Sequence, residues 1–286
     1  MSTVDAALAG AAADLATAGI ERPRFEARLL LEAASGRSRA EILVNGSASL
    51  PEPEADRFSL LVARRRQREP MAYILGRVEF WSLDFAVQPG VLVPRADSET
   101  LIEAAISAVP DTERRLRILE MGVGSGCLIV TLLHVFPRAE GIGTDLDETA
   151  LACTRLNAER LGVVARLGLE RTSWAAGVDG PFDLVVSNPP YIRSAEIAAL
   201  QPEVARFEPR TALDGGPDGL VAYRAILADL PRLLASDGRA FLEIGHDQHH
   251  PLAALAVAAG FAVTAHHDLA GVARCLELGG TGLDPT

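Results

Sequence analysis

From residue 116 onward the chain sets down seven short apolar runs, at 116–121, 141–144, 163–169, 182–187, 239–244, 261–265 and 272–278. Around residues 97–108, 126–136, 147–161, 219–235 and 247–259, apolar side chains recur instead at helical spacing. Short apolar runs bounded by polar turns read as strands, and their alternation with helices predicts a mostly parallel seven-stranded sheet with helices on both faces. The link between the last two runs is too short for a helical crossover, so that pair is expected to be antiparallel.

The first quarter follows another pattern. Residues 4–68 are rich in Ala, Leu, Arg and Glu with helical spacing, and breaks at Gly36 and at Ser49-Leu50-Pro51-Glu52-Pro53 divide them into several helices. Residues 77–94 carry Val78, Phe80, Leu83, Phe85 and Val87, then Pro89-Gly90, then Val91-Leu92-Val93, which predicts a β-hairpin around the Pro-Gly turn. The expected division is a helical bundle at 1–76, a hairpin connector at 77–94 and the α/β domain at 95–286. Within the bundle, the run Arg64-Arg65-Arg66-Gln67-Arg68 is expected to be a solvated helix face.

In open α/β sheets ligands bind at the carboxyl ends of strands. The first strand of the sheet ends in Glu120-Met121-Gly122-Val123-Gly124-Ser125-Gly126-Cys127 and leads straight into a helix. Its third glycine comes one residue too early for the GxGxxG dinucleotide fingerprint. The loop therefore favours S-adenosylmethionine, which has no pyrophosphate to anchor and needs close backbone approach and a nearby carboxylate. Asp145, after the second strand, is the candidate ribose ligand. Trp174, after the third, is the candidate wall for the adenine edge, and Glu120 faces the cationic methionyl part.

The fourth strand ends in Asn188-Pro189-Pro190-Tyr191. Two successive prolines fix their own φ, donate no N–H and bias the preceding residue toward extended backbone. Such a rigid turn leaves its carbonyls and the Asn188 oxygen free to converge on a planar –NH2 group, with the Tyr191 ring expected as a flat surface beside it. Asn188, Pro189, Pro190 and Tyr191 are accordingly the candidate catalytic and substrate-binding residues.

Composition narrows the chemistry further. All 27 basic residues are Arg, which excludes a lysine Schiff base or a P-loop lysine. The net charge is −11; residues 94–286 hold 16 Arg against 26 acids, that is −10, the wrong sign for a nucleic-acid footprint. Three scattered cysteines without a CxxC pair argue for a reducing compartment, and no run approaches the ~20 apolar residues of a membrane span. A cytoplasmic location is expected. His246, His249 and His250 have ligand-capable spacing, but no further cluster accompanies them and no metal site is expected.

Several segments together resemble the HemK/PrmC protein-(glutamine-N5) methyltransferases over nearly the full length. They are Arg68-Glu69-Pro70-Met71-Ala72-Tyr73-Ile74-Leu75-Gly76, Val78-Glu79-Phe80-Trp81-Ser82, Leu92-Val93-Pro94-Arg95-Ala96-Asp97-Ser98-Glu99, the tetrad with its strand, and Phe207-Glu208-Pro209-Arg210-Thr211-Ala212-Leu213-Asp214-Gly215-Gly216. The tetrad alone is shared with adenine-N6 and some guanine-N2 methyltransferases; the flanking segments are the specific part. The resemblance implies a class I S-adenosylmethionine-dependent methyltransferase fold with a small N-terminal helical domain for substrate docking. It implies methyl transfer to the glutamine of the Gly-Gly-Gln motif in class I peptide chain release factors, with no direct nucleic-acid binding and no membrane. It also implies that Gly122, Val123, Gly124, Ser125, Gly126, Asp145, Trp174 and Asn188 contact the cofactor, and that Asn188 to Tyr191 hold the target glutamine. Glu120 stands where that family usually has Asp. A nucleic-acid amine methyltransferase and an inactive methyltransferase-like binding module are the alternatives.

Overall fold

The computed structural model describes residues 2–280. Two compact units emerge: residues up to Arg77 together with Gln201–Phe207, and residues 78–200 together with those from Glu208 onward. The heptapeptide at 201–207, which the sequence division leaves inside the α/β domain, thus belongs to the helical unit.

The helical unit contains α1 (Val4–Thr17), α2 (Pro23–Ser35), α3 (Arg39–Val44), α4 (Glu52–Arg66) and α5 (Met71–Leu75). Local signals fix the ends. Pro23 starts α2 at a position that needs no N–H, Gly36 closes it in the left-handed region, and Ser38 with Glu41 forms a reciprocal capping box on α3. Val4, Leu15, Ala27, Leu30, Leu31 and Ile42 fill the unit's core. The expected solvated arginine face is corrected at one position. Arg65 is only 6% exposed; it donates to Glu26 at 2.5 Å, to Glu203 at 2.8 Å and to the Glu69 carbonyl at 3.1 Å. Arg68 takes the other oxygen of Glu203 at 2.7 Å. Adjacent arginines on a helix point about 100° apart, so one of the run can be buried while its neighbours remain in water, and only the fold supplies the two carboxylates that make burial affordable.

A hairpin follows, β1 (Arg77–Phe80) and β2 (Leu83–Ala86), and its turn is Trp81-Ser82, both with positive φ (53° and 58°). The expected turn at Pro89-Gly90 exists as a bend beyond the hairpin, where Val91 N–H reaches the Gln88 carbonyl at 3.2 Å. Two-residue hairpin loops favour Asn-Gly, and neither Trp nor Ser announces one. Tertiary contact stabilises it: the Trp81 N–H donates to Glu99 at 2.8 Å.

The main sheet has strands β3 (Arg117–Met121), β4 (Glu140–Asp145), β5 (Leu167–Arg171), β6 (Phe182–Ser187), β7 (Leu234–Glu243), β8 (Phe261–His267) and β9 (Ala273–Gly280). Their order is β5-β4-β3-β6-β7-β9-β8, with β3, β4, β5, β6 and β7 parallel and β9 antiparallel to both neighbours. The expected fold class is borne out, down to the antiparallel final pair. Helices α6 (Glu99–Ala108), α7 (Cys127–Val135), α8 (Glu148–Arg160), α10 (Val221–Leu233) and α11 (His249–Ala258) belong to this unit, while α9 (Pro202–Phe207) lies in the helical unit.

Strand alternation distributes the core between the two faces. Ile118 and Val186 pack with Leu101, Ile102, Leu128 and Leu132 on one side; Leu119, Met121 and Val185 pack with Tyr223, Ile226, Leu230 and Leu252 on the other. Strand order reverses between β3 and β6, so the connections that leave the carboxyl ends of these two strands part to opposite faces and open a crevice. Ser187 at the end of β6 donates to the Met121 carbonyl at 2.6 Å and holds the two strand ends together there.

Candidate active site

A cavity of about 480 Å³ opens at this crevice, within the usual range for small-ligand sites of about 300–1,000 Å³. Ten of the residues expected at the site line it: Glu120, Gly122, Val123, Gly124, Ser125, Asp145, Trp174, Asn188, Pro189 and Pro190.

The glycine loop is held by its backbone and by α8. Gly122 and Val123 N–H both donate to the Thr144 carbonyl, at 2.8 and 2.9 Å. From α8, Thr154 donates to the Gly124 carbonyl at 3.1 Å and Asn157 to the Ser125 carbonyl at 2.9 Å. Gly122 (φ 79°) and Gly124 (φ 53°) have nothing within 4 Å of where a Cβ would stand, so they present bare backbone. Gly126 differs and does not line the cavity. Its φ is 78°, and a Cβ there would meet Thr154 Cγ2 at 2.6 Å. The first two glycines keep ligand space open; the third lets α8 approach.

Asp145 accepts from Gly124 N–H at 3.0 Å and from Asp147 N–H at 2.9 Å, one bond on each oxygen. An ionised carboxylate has about four acceptor sites, so two remain for a vicinal diol. Glu120 is 2% exposed and accepts from Ile129 N–H at 2.9 Å. Burial pushes its carboxyl well above the usual carboxylate range, and the Asp145 charge adds to that. A cation arriving in the cavity would reverse this penalty. Trp174, at φ 50°, is half-buried against the core and forms part of the wall.

At the tetrad, Asn188 Nδ2 donates to Ser98 Oγ at 3.3 Å. The Tyr191 ring departs from expectation: it is not among the cavity-lining residues, and its hydroxyl donates to Glu243 at 3.4 Å inside the protein. Burial pushes that phenol up. Backbone geometry explains the turn of the chain. Gln248, 2% exposed, donates to the Tyr191 carbonyl at 2.8 Å and to the Gly219 carbonyl at 3.1 Å. Gly215 runs so close beneath that a Cβ would lie 2.8 Å from the Pro190 carbonyl.

Sequence inspection missed Ser98, Glu243 and Gln248. Glu243 carried a signal, since it is an acid inside the apolar run Phe241-Leu242-Glu243-Ile244. It is buried at the carboxyl end of β7, and its carboxyl is raised to about 7, chiefly by burial. Glu208 is likewise buried and takes Arg95 as its counterion.

A crevice with bare glycine backbone along one side, a diol acceptor and a buried acid waiting for positive charge fits a nucleoside carrying a sulfonium better than a dinucleotide. On a sheet of this order, such a site belongs to the class I S-adenosylmethionine-dependent methyltransferases. Comparison with known sequences narrows the class: residues 6–76 match the PrmC N-terminal domain model and residues 94–206 the Methyltransferase small domain model. The release factor glutamine methyltransferase of Rhodospirillum rubrum is 44% identical over 263 residues, covering 92% of this chain and 80% of that one. That of Bradyrhizobium diazoefficiens is 40% identical over 279 residues, covering 96% and 94%. The chain belongs to the release factor glutamine methyltransferase family. A methyltransferase from Pyrococcus furiosus shares the fold at a TM-score of 0.51 and 20% identity, over 70% of this chain and 89% of that one. Among the described residues no helix is long and apolar enough to cross a membrane.

Proposed function

We propose that the protein transfers a methyl group to the side-chain amide nitrogen, N5, of the glutamine in the Gly-Gly-Gln motif of class I peptide chain release factors, in the cytoplasm. When bound, S-adenosyl-L-methionine supplies the electrophilic methyl on sulfur. Gly122, Val123, Gly124 and Ser125 would lie along it, Asp145 would accept from its ribose hydroxyls, Trp174 would flank its base and Glu120 would face its cationic end. The helical unit is the proposed docking element for the release factor.

An amide nitrogen is a poor nucleophile because its lone pair is delocalised into the carbonyl. Asn188 Oδ1 and the Pro189 carbonyl accept its two hydrogens and favour a tetrahedral nitrogen. Transfer of the methyl from sulfur to the amide nitrogen would leave the electron pair on sulfur and develop positive charge on that nitrogen. The two acceptors strengthen with that charge, so they stabilise the transition state more than the ground state. The nitrogen then loses one proton to solvent. Tyr191 contributes from behind, through its half-buried ring and its carbonyl.

The single observation that supports this most is the Asn188 side chain on the cavity wall with its amino group already engaged by Ser98, which leaves its oxygen for an incoming –NH2. The test incubates the enzyme and labelled cofactor with a release factor, its Gln-to-Ala variant, and unmethylated DNA or ribosomal RNA. Label in the first alone is expected; label in nucleic acid would replace this reading with a nucleic-acid amine methyltransferase. Asn188→Ala is expected to lower turnover by roughly 10²-fold or more.

A further inference from the structure

Asn188 can help only if its oxygen, not its amino group, faces the cavity, and an amide side chain presents either with little change of shape. The difference lies one layer back. Ser98 is 2% exposed, and its oxygen accepts the Asn188 amino group at 3.3 Å. Its own proton then needs another acceptor. The candidate is Glu243: its Oε2 is buried with no hydrogen-bond partner among the described residues, and the nearby Ser98 hydroxyl favours its ionised form. The rest of Glu243 is fixed, with Tyr191 O–H on Oε1 at 3.4 Å and Tyr223 O–H on its carbonyl at 2.7 Å.

We propose that Glu243 is a positioning residue: as a carboxylate it takes the Ser98 proton, obliges Ser98 to accept from Asn188, and so turns the Asn188 oxygen toward the substrate amide. The inference rests on the role of Asn188 given above. A carboxylate is acceptor-only, whereas a neutral carboxyl can donate. Once Glu243 is protonated, Ser98 is free to donate to Asn188, the amide turns over, and the amino group faces the cavity. Two donors then oppose each other and the acceptor is lost.

The surroundings place this change in the neutral range, the Glu243 carboxyl being raised to about 7. Asp97, ahead of α6, opposes its ionisation; Arg274 on β9 favours it while paired to Asp97 and Asp268, each at 3.0 Å. Cys275, opposite Glu243 in β9, and Cys127, at the head of α7, are thiols pushed up by burial, as are the Tyr191 and Tyr223 phenols. All four are neutral where Glu243 titrates. The sign follows: the raised carboxyl is neutral below about pH 7 and ionised above it, so turnover falls as pH falls.

The experiment is kcat against pH at saturating release factor and cofactor, for wild type, Glu243→Gln and Ser98→Ala, with cofactor Kd and melting measured for each. Wild type is expected to lose about tenfold in kcat between pH 8 and pH 6, through one ionisation. Glu243→Gln is expected to have a low kcat at pH 8, a flat profile over this range, and a cofactor Kd within about twofold of wild type. Ser98→Ala is expected to lose the same ionisation, because the bridge is gone. A flat wild-type profile, or an unaltered ionisation in either folded variant, overturns the proposal, and the wild-type profile decides alone if neither variant folds. Failure of the underlying reading looks different: no methyl acceptance by the release factor at any pH, or an active Asn188→Ala.

Discussion

Gly126→Ala tests whether the three glycines of the loop do different jobs. At φ 78° an added Cβ costs about 1–2 kcal/mol for the left-handed backbone alone. The same Cβ would stand 2.6 Å from Thr154 Cγ2, in a fully buried contact between loop and α8, and overpacking of that kind costs about 1–3 kcal/mol. The expected loss is therefore about 2–5 kcal/mol, or a fall of roughly 5–15 °C in the melting midpoint. Both tryptophans, Trp81 and Trp174, lie in the sheet-containing unit, so indole fluorescence reports its unfolding without the helical unit. In a Thr154→Ser background the clashing methyl is absent while the hydroxyl to Gly124 is kept. There the same substitution is expected to cost about 1–3 kcal/mol less, read as the coupling in a double-mutant cycle. Gly124→Ala, with open space at its Cβ, is expected to pay only the backbone cost and to weaken cofactor binding instead. Melting of Gly126→Ala within about 2 °C of wild type, or an equal loss in both backgrounds, would refute the packing argument.

Asp145→Asn replaces one acceptor oxygen by an amino group that cannot take a loop N–H; losing a hydrogen bond to a charged acceptor, about 1.5–3 kcal/mol, is expected to weaken cofactor binding about 10- to 100-fold by calorimetry. Burial raises the Glu120 carboxyl, and a cation beside it favours the ionised form; binding is therefore expected to release a proton and to tighten as pH rises through that raised range. Calorimetry in buffers of different ionisation enthalpy reads that proton, and Glu120→Gln should abolish its release. Glu203→Ala leaves buried Arg65 with Glu26 as its remaining carboxylate and is expected to destabilise the helical unit by about 2–3 kcal/mol, seen as faster amide exchange in α2 and α4.

Legibility varied with the range of the interaction. The seven strands and their helices were readable because buried strands and amphipathic helices impose periods of 2 and 3.6 on the sequence itself. Glycine loop, Asp145 and tetrad were readable because each ends or directly follows a strand in sequence. The hairpin turn was not, since Trp81-Ser82 depends on Glu99 for support. Nor was the burial of Arg65, whose partners Glu26 and Glu203 are 39 and 138 residues away. Gly126 was legible as a glycine and misread in purpose, because Thr154 arrives from the next helix.

By itself the sequence determined the class of fold, the order of its elements and the residue types at the carboxyl edge of the sheet; these follow from local periodicity and from which residues tolerate turns. The tertiary structure alone decided which of those residues share a cavity wall, that Tyr191 turns inward, and that Ser98, Glu243 and Gln248 stand behind the tetrad. Hydrogen-bond direction and the charge of a buried acid are set by groups brought together from distant strands and helices, and no spacing along a single chain records them.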